Sequence, residues 1–234
     1  VCALEPSRRP GKGYILYINP GVKIDLINSA GILSYSHIYL NGSEENPIVI
    51  NSTDFTGQGL TVIGANDKSS LKFVDFNNMS NFSNNNWELT GGVNFYMSDV
   101  DISNASFENN NSEDALNIIK SKFKISQSIF SNILSDAFDS DFSEGSINNS
   151  SFYNCGNDGV DLSGSSLEMN DILFDGIGDK AISAGEASIL KSNNVVIKSA
   201  EIGVTSKDSS IVEVTNILID NTNVGFTAFT KKSE

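Results

Sequence analysis

From Ala115 onward one pattern returns every 22 residues. Ala115-Leu116-Asn117 is followed by Ala137-Phe138-Asp139, Gly159-Val160-Asp161, Ala181-Ile182-Ser183, Gly203-Val204-Thr205 and Gly225-Phe226-Thr227. Each copy keeps a small residue, a large apolar one and then a short polar one. A second column at the same step reads Phe130, Phe152, Phe174, Val196, Leu218, and a third reads Asn132, Asn154, Gly176, Lys198, Asp220. Three columns in one register are beyond coincidence. A 22-residue period is too short for a helix pair, but it suits one turn of a parallel β-solenoid with three short strands per coil. Coils then stack about 4.8 Å apart, so residues one period apart touch. Strand alternation turns Val160 and Leu162 inward and Asp161 outward.

The rest of the chain fits an all-β solenoid. Short β-branched runs are separated by Asn-Asn, Asp-Gly and Ser-Gly turns, and 39% hydrophobic residues are enough for a core. Upstream, Val100, Ile102, Phe107 and Asn109 match Phe123, Ile125, Phe130 and Asn132 at a step of 23, so one coil near residue 110 carries an extra residue. Leu71-Lys72-Phe73 and Phe76-Asn77-Asn78 look like another coil. The Asn/Ser-rich span 77–86, ending at Trp87, is expected to bulge as part of an irregular loop between 77 and 92. The expected boundaries are an irregular segment over 1–13, the solenoid over 14–230 in nine or ten coils, and a tail over 231–234. Phe226 is still in register near the end and neither end shows a capping helix, so the stacking is expected to continue in a longer chain.

The opening coils, Tyr17-Ile18-Asn19-Pro20-Gly21-Val22-Lys23-Ile24 and Leu40-Asn41-Gly42-Ser43 through Pro47-Ile48-Val49-Ile50, resemble those of bacterial exported right-handed parallel β-helix repeat proteins, of the kind found alongside spore-coat-kinase-like domains. Ser112–Ile118, Asp158–Ser165 and Gly178–Ser183 are similar to the same family. The resemblance implies the fold and a location outside the cell, at the surface or in the periplasm. It leaves function open between scaffold, adhesin and sugar-active enzyme.

Charge narrows the partners. Fifteen Lys and Arg against 29 Asp and Glu leave a net charge of −14, which disfavours nucleic acid. No apolar run is long enough to span a membrane. Cys2 and Cys155 do not suggest a disulfide framework. The lyase, pectinase-type hydrolase and epimerase signatures of this fold are missing. The arginines, Arg8 and Arg9, precede the first coil, and the single histidine, His37, reads as a wall residue. Lys122 and Lys180 are the available lysine bases.

The aspartates are the most pointed feature. Asp114, Asp136 and Asp158 are one period apart, as are Asp139 and Asp161, with Asp141 and Glu144 nearby. Carboxylates stacked this closely need N–H donors, raised pKa values or a cation. Asp136, Asp139, Asp141, Asp158 and Asp161 are therefore candidate Ca²⁺ ligands. For Asp114, Asp136 and Asp158, turn capping is the plainer reading; a catalytic carboxylate pair is the third. The leading functional expectation is a non-catalytic module that binds carbohydrate, or another domain of the same exported protein, through an outward column of Asn117, Asp139, Asp161, Ser183, Thr205 and Thr227. Trp87 and Tyr96 are candidate sugar-stacking residues. The alternative is a polysaccharide-active enzyme using the stacked carboxylates.

Overall fold

The computed structural model describes residues 14–84 and 87–231. Within them every regular element is a strand, and the strands wind into a right-handed parallel β-helix of about ten turns. Each coil has three walls. In one mid-chain coil these are Asp114–Ile119, Lys122–Ser126 and Ile129–Ile133, and the next coil begins at Asp136–Asp141. Further on, strands bend round corners without a break, as in Ser166–Gly185 and Ile189–Lys207.

Corners are turned by residues with positive φ, which is why Asn recurs there: its short amide tolerates the left-handed region. Asn109, Asn132, Asn154, Gly176, Ser199 and Asn221 form one such column, with φ between 48° and 78°. Stacked amides bridge the coils, Asn154 Nδ2 donating to Asn132 Oδ1 at 3.2 Å. At another corner serine hydroxyls do the same work. Ser121 N–H donates to Ser143 Oγ and Ser143 N–H to Ser165 Oγ, both at 3.0 Å.

The core is a set of ladders. Phe76, Phe107, Phe130, Phe152 and Phe174 stack ring on ring with centroids 5.3, 4.6, 4.8 and 4.8 Å apart. Facing them is a second buried ladder of Leu116, Phe138, Val160 and Ile182.

Beyond Phe174 the sequence columns depart from the structure. Phe174 pairs with Ile197, not Val196, and Ile197 with Ile219, not Leu218. The corner after Gly185 holds two left-handed residues, Glu186 and Ala187, where earlier coils hold one. This lengthens the coil to 23. A bulge between Ile177 and Lys180 removes the extra residue, so Ile182 again meets Val204 at a step of 22. The amide column accordingly continues through Ser199 and Asn221, while Lys198 and Asp220 belong to the Tyr153/Asp175 column.

The expected extra residue near 110 is present: Val100 pairs with Phe123 and Phe107 with Phe130. The span expected to be an irregular loop is in part an antiparallel hairpin, Phe82–Asn84 with Trp87–Leu89. Its insertion stretches the step there to 31, Phe76 pairing with Phe107. Residues 1–13, with Arg8, Arg9 and Cys2, lie outside the described residues, as do 232–234 of the tail. Cys155 is free and buried.

Candidate functional site: an acidic trough on the first wall

The small residue that opens each repeat bends the chain. Ala115, Ala137 and Ala181 are fully buried, and a Cβ on Gly159 would come within 2.7 Å of the Phe174 ring. This inward kink turns the residue before it to face the residue two places after it. Asn117 Nδ2 therefore donates to Asp114 Oδ2 at 2.9 Å, across the bend of a single strand. Stacked over the coils, the kink becomes a trough with two sides. One side carries Asp114, Asp136, Asp158 and Lys180; the other carries Asn117, Asp139, Asp161, Ser183, Thr205 and Thr227.

The second side is the column expected to be an open, flat face. It is not one. Asn117 is 1% exposed, and Ser183 and Thr205 are buried. Asp139 and Asp161 are half-buried. Sequence alternation points the column outward correctly, but it does not reveal the bend that folds the neighbouring column over it.

Within the trough two aspartates have turn duties, carried across coils. Asp136 Oδ1 accepts from the Asp158 N–H at 2.8 Å and from Asn157 Nδ2 at 2.6 Å. Asp158 Oδ1 accepts from the Lys180 N–H at 2.9 Å, with Lys180 Nζ at 3.4 Å. Lys180 Nζ also pairs with Asp179. Asp139 is placed differently, receiving Asn117 Nδ2 at 3.1 Å, an amide that also serves Thr90 Oγ1 and Asp114.

Burial and crowding raise the pKa values of these acids. Asp139 is pushed up to about 9, by burial first and then by the charges of Asp114, Asp141, Asp161 and Asp136. Asp114 rises to about 7, again by burial, against the opposing hydrogen bonds from Thr90 and Asn117. Burial lifts Asp158 to about 6 even though Lys180 pulls it down. Asp136 is raised as well, by burial. Among the described residues, no three His, Cys, Asp or Glu side chains are grouped so as to hold a metal ion.

Lys207 lies in the trough, its side chain 11% exposed. Its Nζ donates to Ser183 Oγ at 2.8 Å and stands 3.5 Å from Asp161 Oδ1. Two buried oxygens there have no hydrogen-bond partner, Asn117 Oδ1 and Asp161 Oδ1, the latter with only the ion-pair contact to Lys207.

Other candidates sit elsewhere. Trp87 packs in the hairpin against Phe82, centroids 5.3 Å apart, whereas Tyr96 closes the first-wall strand Gly91–Tyr96 beside Ile63 and Ile119. They form no shared platform. Lys122 pairs with Glu144 at 3.2 Å on the second wall, and His37 meets Tyr39 edge-on. A hollow of about 530 Å³ on the third wall is lined by Leu173, Val196 and Leu218 beside Asp171, Asn194 and Asn216; its one carboxylate gives it none of the trough's clustered acid chemistry. The trough contribution of Lys207 and the unpaired Asn117 carbonyl had no signal in the sequence beyond their positions in a polar column.

No family model matches the chain, and no curated protein matches it. Among solved structures it is similar to WceF of Pantoea stewartii, a glycan biofilm modifying enzyme with a bacteriophage tailspike-like parallel β-helix fold. The TM-score is 0.54 at 13% identity, over 93% of this chain and 36% of that one. The likeness is one of fold. The catalytic domain of a GH87 α-1,3-glucanase is also similar, at a TM-score of 0.31 and 10% identity over 92% of this chain and 63% of that domain, too distant to add to the argument. The chain spans about a third of the length of WceF.

Proposed function

We propose that this β-helix is a glycan-cleaving enzyme, a glycoside hydrolase working in the acidic trough, rather than the non-catalytic module expected from the missing lyase, hydrolase and epimerase signatures. The observation that carries the reading is the pairing of two carboxyls one coil apart, Asp139 and Asp161, the first half-buried and pushed up to about 9 by burial and the charges around it. Glycoside hydrolysis asks for that division of labour: one acid that keeps a proton for the leaving oxygen, and one carboxylate facing the sugar. Asp139 donates the proton to the glycosidic oxygen. Asp161, with Lys207 as its counter-ion, attacks or stabilises the anomeric carbon. Asn117 orients Asp139 through its amide.

The fold's resemblance to a glycan biofilm modifying enzyme supports a carbohydrate substrate, and a site of action outside the cytoplasm belongs to the same proposal. Among the described residues no helix is long and apolar enough to cross a membrane. The test is direct: the protein is incubated with neutral, amino and acidic polysaccharides, and new reducing ends are measured. Release that disappears in Asp139→Asn supports the reading. A folded protein that cleaves none of them returns the trough to the binding-module interpretation.

A further inference from the structure

The polarity of the trough restricts what it accepts. Five carboxyls line it, Asp114, Asp136, Asp139, Asp158 and Asp161, and the two lysines in contact with them are both committed. Lys180 is held by Asp158 and Asp179. Lys207 is held by Asp161 and Ser183, and its stem crosses Gly185, where a Cβ would meet Lys207 Cε at 2.7 Å. A lysine clamped at both its stem and its ammonium is not available to a ligand.

The atoms left unpaired have the same polarity. Asn117 Oδ1 and Asp161 Oδ1 are both acceptors, buried and without a hydrogen-bond partner. Such groups call for a ligand that donates hydrogen bonds. Sugar hydroxyls and ammonium groups donate. The carboxylate of a uronate, like a sulfate, adds acceptors and a negative charge where five carboxyls already stand and neither lysine is free to meet it.

We infer that the trough takes a glycan free of anionic groups, either an uncharged hexose polymer or one bearing free amines. The inference rests on the trough being a glycan site.

Isothermal titration calorimetry of the wild-type protein, in low salt near neutral pH, tests this with three probes. They are a mixture of gluco-, manno- and galacto-oligosaccharides, chitosan oligosaccharides, and oligogalacturonate. The expected result is binding of the first or the second and no heat from the third. In Asp161→Asn, verified as folded by circular dichroism, the freed Lys207 ammonium raises oligogalacturonate affinity about tenfold or more; Asp161→Asn/Lys207→Met abolishes that gain. Oligogalacturonate binding to the wild type more tightly than the other probes overturns the inference. So does failure of every uncharged and amine-bearing probe to bind, or a folded Asp161→Asn that gains nothing. Binding of a neutral probe without release of reducing ends defeats the hydrolase reading and leaves this one standing, whereas cleavage of polygalacturonate does the reverse.

Discussion

Lys207 reaches back across two coils of the helix to stand 3.5 Å from Asp161, and it does so over the bare backbone of Gly185. The pair ties the downstream, hydroxyl-lined end of the trough to its acidic centre. Removing the ammonium takes away the one contact to the buried Asp161 Oδ1, so Lys207→Met is expected to cost about 1–3 kcal/mol. Gly185→Leu displaces the same side chain without changing its charge and should lower activity in parallel. Equal losses in the two variants, read as melting temperature and as kcat, check the relationship; an inert Gly185→Leu contradicts it.

The raised acids also set how stability depends on pH. Asp139 and Asp114 hold their protons in the folded state, at about 9 and about 7, well above the ordinary aspartate value. The folded state therefore binds more protons than the unfolded chain across this window, and stability falls as pH rises from about 4 towards 9. Thermal melts between those limits should show a declining Tm. Asp139→Asn, which keeps the shape without the charge, should flatten the decline and raise Tm at the alkaline end. Calcium is the competing way to hold the same carboxylates. A calcium-dependent rise in Tm that is lost on Asp139→Ala plus Asp161→Ala would put a cation in the proton's place.

Ring stacking makes a separate demand. Phe152 lies between Phe130 and Phe174, 4.8 Å from each, so truncation opens a cavity with stacked faces on both sides. Phe152→Ala is expected to cost about 3–5 kcal/mol, measured by denaturant unfolding where that is reversible. Val196→Ala, on the half-exposed face that the period of 22 would have made core, should cost far less than Ile197→Ala. The reverse order would restore the unbroken 22-residue register.

Stereochemistry follows from the coil spacing. Asp139 and Asp161 are register partners on adjacent parallel strands, which lie about 4.8 Å apart. Carboxyls about 5–5.5 Å apart act by retention, and inversion needs about 6.5–9.5 Å. Proton NMR of the first-formed product should show the anomeric configuration of the substrate. Inversion would remove Asp161 from the role assigned to it.

Much of the fold was legible because a solenoid writes its contacts into the sequence: a residue and its neighbour one coil away are also a fixed distance apart along the chain. The Phe130/Phe152/Phe174 ladder, the acidic stack and the 23-residue coil near 110 were all readable on that basis. Two compensating changes were not. An extra corner residue at Glu186–Ala187 and a bulge near Asp179 cancel over one coil, so columns sampled on the first wall stay in step while those on the third wall slip. The trough was half legible. Both of its sides appeared as columns, but their meeting depends on a backbone kink at Ala115, Ala137 and Gly159, where small residues read only as a repeat marker. The length of Lys207 hid its role, since its partner sits two periods back.

Acid catalysis in the trough requires a proton on Asp139, and the most direct measurement is its carboxyl ¹³C resonance followed through a pH titration of the wild-type protein, assigned by comparison with Asp139→Asn. The trough as described predicts a carboxyl still protonated at neutral pH that titrates near 9, with a smaller inflection near 7 as Asp114 responds. A single transition below about 5, as for an ordinary aspartate, would leave no acid to protonate a glycosidic oxygen and would contradict the proposed chemistry.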